Sequence, residues 1–253
     1  MDVLICIDDT DNLDSIGTGK LLENLCGNMK EKGWIKESFI SRHQLLIHES
    51  IDYTSHNSSM CCEIDVAHQK FDKVLEYSKD YLIENSAKGS DPGLCLIKLE
   101  DLSDIGKNEV ISFGKKAKKV VINKLEAYSI AKKYSGSIFL SEHGGTGEGV
   151  IGALAGCGLR LYGSDGRVKG NCKLNEPGET ISIEKFCEKL SIPFVINEEF
   201  KIIKNGSIKV TEDKIKKILW EHQTTVVLEA DDEEIAQWKV ISKNNLNTKK
   251  IGR

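Results

Sequence analysis

The chain has 253 residues, of which 40% are hydrophobic and 29% are charged, and its formal net charge is -4. This length can bury a sizeable core, as one large domain or as a main domain with a smaller second one. The slightly negative charge argues against a protein that binds nucleic acid over most of its surface, although a local basic face stays open. Because no apolar run reaches about 18 residues and no signal-like segment opens the chain, we expect a soluble cytoplasmic protein without membrane contact.

The first two thirds of the sequence predict strands and helices that follow one another. Apolar and alternating segments indicate strands, and apolar residues at helical spacing indicate helices. The expected strands cover residues 2–7, 37–47, 58–67, 94–99, 137–142 and a segment that begins at 159. The expected helices cover residues 18–33, 68–87, 114–134 and a short stretch within 147–158. This order predicts an α+β (mixed α/β) sheet fold.

The last third of the sequence reads as a small α+β appendage. The segment "KLNEPGE" at 173–179 has the composition of a linker, so we place a main domain at 1–175 and a small domain at 180–253. Within the tail, strands are expected at 193–203 and 224–230, and a helix at 212–222. Two roles stay open for this tail: it binds RNA, or it forms the contact of a homodimer.

An acidic cluster follows the first predicted strand in the stretch "ICIDDTDNLD". Asp8, Asp9 and Asp11 come at the end of that strand, and Asp14 is close by. Carboxylates this dense repel one another, so a folded site needs a cation among them. Mg²⁺ is the natural partner, because it takes oxygen ligands and often bridges carboxylates to phosphates. The alternative is a solvated turn in which aspartates cap the backbone.

The segment "GTGK" at 17–20 opens the next predicted helix. It is not a P-loop, because Asp14 stands where the first glycine belongs and Leu21 follows the lysine. Gly17 and Gly19 nevertheless free the backbone at a helix N-terminus, where anions bind, with Thr18 and Lys20 beside them. An ordinary helix start with a capping threonine explains the same residues.

A second glycine-rich segment, "HGGTGEGVIG", follows the strand at 137–142. We expect it to cover phosphates, with His143, Gly144, Gly145, Gly147 and Gly149 as contacts. Its "GEGVIG" also matches the dinucleotide pattern G-x-G-x-x-G, which leaves an NAD-dependent oxidoreductase open as a weaker reading. A third reading is structural, since Gly152 and Gly156 at positions i and i+4 permit close helix packing.

Two further groups of residues have ordinary explanations. The eight cysteines contain no C-x-x-C pair and mostly stand in apolar contexts, so we expect buried reduced thiols rather than a zinc ribbon. Lysines make the region 115–133 basic, which indicates a solvated helix face; an RNA-facing patch is the alternative.

Four blocks together resemble the archaeal isoleucine-tRNA 2-agmatinylcytidine synthetase family (TiaS-like). They are "IDDTD" at 7–11 with Thr18 seven residues later, "RHQLLIHESIDYTSHNSSMC", "SDPGLCLI" and "GEGVIGALAGCG". They resemble the family's kinase-type domain over roughly residues 1–165.

The resemblance implies a domain that binds ATP and Mg²⁺ and phosphorylates a tRNA cytidine. By position, it places Asp8, Asp9 and Asp11 at metal and phosphates, and Thr18 at a threonine that the family can autophosphorylate. Asn57 falls in the altered block, within the "HNSS" that stands where the family has Gly-Asn-Gly, and is assigned to the nucleotide. The sequence departs from the family at Tyr53, which Thr54 follows instead of lysine, and shows neither the OB-type module nor the zinc ribbon.

These observations predict an ATP- and Mg²⁺-dependent phosphoryl-transfer enzyme of the kinase or ligase kind. Its acceptor is expected to be a tRNA, another molecule containing a nucleoside, or a small amine or acid. The alternative from a different class is a regulatory protein that binds a nucleotide without turning it over.

Overall fold

The computed structural model describes residues 1–51, 57–174, 178–210, 214–231, 236–249 and 251–252. The chain forms two compact units, Met1–Tyr162 and Gly163–Arg253. The division falls ahead of the linker predicted at 173–179, and the roles given to domains 1–175 and 180–253 stay predictions. Among the described residues, none of the helices combines the length and apolar character needed to cross a bilayer.

The described residues of the first unit form five strands and five α-helices. The strands are β1 (Asp2–Asp8), β2 (Ile35–Gln44), β3 (Ser58–Val66), β4 (Gly93–Lys98) and β5 (Ile138–Glu142). The helices are α1 (Thr18–Glu31), α2 (Phe71–Asn85), α3 (Asp104–Ala117), α4 (Lys124–Lys133) and α5 (Gly149–Tyr162).

The five strands form an antiparallel sheet in the order β5-β4-β1-β3-β2. The central strand β1 is buried on both faces, which explains its unbroken apolar sequence. Its odd-numbered residues, such as Ile5 and Ile7, pack with residues of α1 and α2. Its even-numbered residues, Leu4 and Cys6, pack with residues of α3, α4 and α5. This alternation sends the side chain of Asp8 towards the α5 face.

Within its described ranges, the second unit has eight short strands and two helices. The strands are β6 (Arg167–Val168), β7 (Thr180–Ser182), β8 (Val195–Asn197), β9 (Ile202–Ile203), β10 (Ser207–Lys209), β11 (Ile218–Trp220), β12 (Gln223–Ala230) and β13 (Trp238–Val240). The helices are α6 (Ile183–Leu190) and α7 (Lys243–Thr248). Strand β12 is central: it pairs antiparallel with β11 and β13 and parallel with β8. A separate apolar core includes Phe186 and Val226.

Four local predictions were wrong. The strand expected at 193–203 is two short strands, β8 and β9, which pair antiparallel with each other. The helix expected at 114–134 is the end of α3 and all of α4, separated by residues 118–123. The strand expected from 159 is the last turn of α5, which runs to Tyr162. Within the helix expected at 212–222, residues 218–220 form strand β11.

The error at β11 has a clear cause. Trp220 pairs with Gln223 across a two-residue turn in which Glu221 and His222 both have positive φ, 47° and 62°. That is the backbone of a tight hairpin turn, which usually carries Asn-Gly or Asp-Gly. Because Glu-His lacks this signal, the helical spacing of the neighbouring residues misled the prediction.

Candidate functional site

A cleft of about 850 Å³ opens in the first unit where β1 ends. Its polar wall comes from the loop after β1, the start of α1, strands β2 and β3, the turn before β4 and the start of α5. The lining includes Asp8, Asp9, Asp11, Asn12, Gly17, Thr18, Gly19, Arg42, Asn57, Ser58, Asp91, Thr146, Glu148, Gly149 and Gly152. Residues of all four blocks singled out in the sequence therefore line the cleft, namely the blocks that begin at Ile7, Arg42, Ser90 and Gly147.

Asp8 is the buried acidic group of this cleft, with 8% of its surface exposed. Burial raises its pKa well above the ordinary value, and the negative charge of the neighbouring Asp9 raises it further. Asp9 itself has φ of 51°, a left-handed conformation that aspartate tolerates better than most residues. The chain thus turns sharply after β1 and holds several carboxylates together at a cost that a bound cation would relieve.

Asp11 and Thr18 are joined by a hydrogen bond. The Thr18 hydroxyl donates to Asp11 Oδ1 at 3.0 Å and accepts from the Thr10 hydroxyl at 3.1 Å. Thr10 and Thr18 are both buried. This chain of hydroxyls fixes the loop after β1 to the first residue of α1.

The N-terminus of α1 borders the cleft through Gly17, Thr18 and Gly19. Gly17 is the N-cap residue. The first turn of α1 has neither a side-chain cap nor an acidic side chain. The positive end of the helix dipole therefore faces the cleft, as an anion site requires. Lys20 lies apart from the lining residues: it is exposed and pairs with Glu23 at 2.8 Å.

The N-terminus of α5 approaches β1 and β4 very closely. A Cβ added to Gly93 would lie 2.1 Å from the carbonyl carbon of Gly149, and one added to Gly149 would lie 2.0 Å from the Asp91 carbonyl oxygen. A Cβ added to Gly152 would lie 1.6 Å from Asp8 Oδ2. The glycines of "GEGVIG" thus let the helix backbone reach the acidic end of the sheet, and the predicted close packing at Gly152 is confirmed.

Four predicted contacts in the glycine-rich loop are not among the residues that line the cleft. His143 is half-buried, its ring bonds to the Ser141 hydroxyl at 2.8 Å, and burial lowers its pKa. Gly145 and Gly147 have φ of 55° and 78°, which suits glycine. Neither they nor His143 and Gly144 line the cleft. Their contact with phosphate stays a prediction.

Thr146 is a residue through which this loop reaches the cleft. Its backbone N–H donates to Asp91 Oδ1 at 2.8 Å, and its hydroxyl bonds to Asp91 Oδ2. Lys124 holds the same loop from α4, by donating to the carbonyl of Thr146 at 2.5 Å and to Glu142 at 3.1 Å. The loop is therefore tied to the turn before β4.

Two cleft features were given no individual role from the sequence, although Arg42 is the first residue of the block "RHQLLIHESIDYTSHNSSMC". Arg42, on β2, is the single basic side chain among the described lining residues, and its Nε donates to the Ser58 hydroxyl at 3.0 Å. Val120, Val121 and Ile122, between α3 and α4, provide an apolar wall, of which the two valines are about half exposed. Neither lies near the acidic cluster in sequence, so only strand pairing and helix packing reveal them.

Asn57 also lines the cleft, at the start of β3. Its side-chain amide donates to the Leu46 carbonyl at 2.7 Å, so that it holds the segment after β2 in place. The predicted departures at Tyr53–Ser55 lie outside the described residues.

The cleft fits Mg²⁺ with one or two protein carboxylates. In the described part of the chain, Asp8, Asp9 and Asp11 do not form a group whose ligand atoms all lie within 4.8 Å of one another. Mg²⁺ usually keeps water and phosphate oxygens beside one or two carboxylates, so a full set of protein ligands is not required. Asp8 suits that role, because burial and the neighbouring charge of Asp9 both disfavour its charged form and a cation would offset them.

Compared by sequence, the chain matches no described family and no curated protein. Its structure, however, is similar to the crystal structure of apo TiaS, an agmatidine synthetase for an isoleucine tRNA, with a TM-score of 0.55 and 23% identity over 73% of this chain and 42% of that one. The complex of TiaS with its tRNA and ATP gives a TM-score of 0.56 and 23% identity over 74% and 44%.

A tRNA fluorescent labeling enzyme gives a TM-score of 0.53 and 26% identity over 62% of this chain and 36% of that one. The chain thus spans less than half the length of each of these proteins. Over the matched part it has the fold of agmatidine synthetase, which confirms the predicted resemblance and the α+β fold class at the level of fold.

Proposed function

We propose that this chain binds ATP with Mg²⁺ in the Asp8 cleft and uses it for phosphoryl transfer to an RNA, with tRNA as the first acceptor to test. The observation that carries the proposal is the placement of buried Asp8, beside Asp9, between the N-termini of α1 and α5. Phosphoryl transfer depends mainly on positioning and charge neutralisation, and these are the groups that such chemistry uses.

Several polar groups of the cleft have a role in this proposal. Asp8 and Asp9 hold Mg²⁺, which when bound neutralises charge on the phosphates. The backbone amides at Thr18 and Gly149 and the Arg42 guanidinium bind phosphate oxygens. The wall at Val120 and Val121 offers apolar surface against which a nucleobase packs.

Thr18 is proposed to face the transferred group. Its hydroxyl proton points to Asp11, so that the carboxylate fixes the hydroxyl and can accept its proton. Lys20 is not given a phosphate contact here, because it is paired with Glu23 on the surface.

The solved relatives support ATP and tRNA as the ligands to test. TiaS has been crystallised with an isoleucine tRNA and ATP, and with that tRNA, AMPCPP and agmatine. These ligands are bound by the solved proteins, and this chain covers less than half of their length. A small amine or acid therefore remains a second acceptor to test beside tRNA.

A nucleotide-binding regulator without turnover is the second candidate function. The same cleft serves both, because the geometry that binds Mg²⁺-ATP does not itself require an acceptor. We set the NAD-dependent reading aside, because Gly149 and Gly152 pack against Asp91 and Asp8 and the strands of this unit pair antiparallel rather than as βαβ units.

The test is calorimetric titration of the purified protein with ATP, with and without Mg²⁺, and with NAD in parallel. We expect binding of ATP that requires Mg²⁺ and that weakens at least about tenfold, or 1.4 kcal/mol, in Asp9→Asn and in Arg42→Gln. The matched control is Asp104→Asn, which removes an exposed carboxylate at the start of α3. Equal ATP affinity in Asp9→Asn and the control would contradict the assignment.

A second measurement separates the enzyme from the regulator. Phosphate and ADP release are followed with tRNA, with small amines and with no acceptor. Release that depends on tRNA and is lost in Asp9→Asn supports the enzyme. Tight ATP binding without release across the panel favours the regulator.

A further inference from the structure

Three thiols meet in the interior of the first unit, on the α5 side of the sheet. Cys6 lies on β1, Cys61 lies directly opposite it on β3, and Cys157 lies on α5. All three are fully buried, and their sulfur atoms lie within 4.8 Å of one another. Among the described residues, this is the group of histidine, cysteine and acidic side chains close enough to share one metal ion.

Two buried polar atoms on two of the elements that carry these thiols, β3 and α5, have no hydrogen-bond partner. They are the hydroxyl oxygen of Ser59 and Nη1 of Arg160. A Cβ placed on Gly156 would lie 2.5 Å from Ser59 Oγ and 2.4 Å from Cys6 Sγ, so the hydroxyl and the thiol face the same glycine gap. A buried polar atom without a hydrogen-bond partner lowers the stability of the fold. Such an atom therefore indicates that a bound group interacts with it here.

Arg160 brings a positive charge to the same region. Its side chain is only 6% exposed, and its guanidinium lies 3.9 Å above the Phe39 ring and 3.6 Å from Glu63. Its charge also acts on the Cys61 sulfur. A buried group of thiolates would need such compensation, because three thiolates with one divalent ion keep one net negative charge.

We propose that Cys6, Cys61 and Cys157 bind one thiophilic metal ion, Zn²⁺ or Cu⁺, as a structural centre beneath the cleft. Thiolate ligands favour these ions. A metal–sulfur bond of about 2.3 Å separates sulfurs by roughly 4 Å, which the observed group can reach with small side-chain shifts. Ser59 supplies the nearby oxygen, either as a fourth ligand or as a donor to a thiolate.

Binding converts three thiols to thiolates and releases their three protons to solvent. No electron is transferred in this step. The ion is closed off from solvent, which is the arrangement of a structural rather than a catalytic site. Because Cys6 lies two residues before Asp8, the centre joins β1, β3 and α5 directly below the acidic cleft. The inference does not depend on the proposed ATP chemistry.

The experiment measures metal in the full chain, purified under reducing conditions without chelator, by elemental mass spectrometry. Zinc and copper are counted separately, so the two ions are distinguished. Cys61→Ser is compared with Cys62→Ser, which changes the neighbouring buried thiol on the opposite face of β3. We expect about one equivalent of metal in the wild type and in Cys62→Ser, and a loss of at least about tenfold in Cys61→Ser.

A second measurement covers the case in which Cys61→Ser fails to fold. The wild-type chain is unfolded, stripped of metal and refolded with Cd²⁺, whose bonds to thiolates give an ultraviolet charge-transfer absorption. We expect that absorption at one Cd²⁺ per chain, and its persistence in Cys62→Ser. Wild-type protein without stoichiometric metal and without the Cd²⁺ absorption overturns the proposal, as does equal metal loss in Cys61→Ser and Cys62→Ser.

Discussion

At the scale of single residues, the site is defined by a carboxylate that the fold disfavours in its charged form. Asp8 ends the central strand, so the backbone that buries Ile5 and Ile7 also buries this carboxylate. Its pKa is raised first by burial and then by Asp9. Binding sites commonly keep a buried charged group of this kind, because a bound ligand offsets the free-energy cost of burying it.

The Asp8→Asn variant tests the cost of burying the Asp8 carboxylate, because that cost changes with pH. The folded-state pKa of Asp8 lies above the unfolded value, so the folded chain holds the proton more tightly and loses stability as pH rises from the unfolded to the folded pKa. We expect Asp8→Asn to melt at or above the wild-type temperature at neutral pH, by about 2–4 °C for each kcal/mol relieved. The difference should shrink towards the acid side of that window.

The measurement is thermal unfolding by circular dichroism across pH, with and without Mg²⁺. Mg²⁺ is expected to raise the wild-type melting temperature and to leave that of Asp8→Asn unchanged. A variant that is less stable than wild type by the same amount at every pH would contradict the account of Asp8.

Most of the cleft residues predicted from the sequence are neighbours along the chain, whereas Asn57 and Gly149 come from separate blocks. Asp8, Asp9, Asp11 and Thr18 stand close together in sequence, and the structure places all four at the cleft. Arg42 reaches it only because β2 pairs with β3, which pairs with β1. No local pattern around Arg42 indicates that pairing.

At the scale of elements, α5 owes its position to its small residues. Gly152 and Gly156 face the sheet at Asp8 and Cys6, whereas Gly158 faces α3, where an added Cβ would lie 2.1 Å from the Val110 carbonyl oxygen. Glycine is unfavourable inside a helix, so these positions reflect contact rather than helix propensity. The same glycines led the sequence analysis to end the helix early.

Gly152→Ala tests this packing. The added methyl group collides with the Asp8 carboxylate, so we expect a loss of about 1–3 kcal/mol in the free energy of unfolding together with weaker Mg²⁺-ATP binding. The matched control is Gly27→Ala in α1, whose Cβ would meet nothing within 4 Å. We expect that control to stabilise the protein by roughly 0.5–1 kcal/mol.

Both variants are measured by urea unfolding and by calorimetric titration with Mg²⁺-ATP. If Gly152→Ala unfolds and binds like Gly27→Ala, the close approach of α5 to Asp8 is not important for the site.

At the scale of the whole molecule, each unit has its own apolar core. The first unit has one core on each face of its sheet, and the second has cores that include Phe186 and Ile241. Every described residue that lines the cleft belongs to the first unit. The first unit should therefore fold and bind nucleotide by itself.

A fragment of residues 1–162 tests this expectation. We expect a cooperative unfolding transition, and an affinity for Mg²⁺-ATP within roughly threefold of the full chain, which is less than about 1 kcal/mol. Circular dichroism and calorimetric titration provide the two measurements. An unfolded fragment, or one that folds but binds ATP far more weakly, would show that the second unit is needed for the site.

The sequence by itself determined the acidic end of the first strand, the helix start behind it, the α+β class and the blocks that resemble agmatidine synthetase. These depend on residues close together in the chain, where spacing carries the information. Only the tertiary structure decided that the four blocks beginning at Ile7, Arg42, Ser90 and Gly147 meet in one cleft, and that three distant thiols face one another. Strand order and close helix packing arise from contacts across the whole first unit, and no local pattern specifies them.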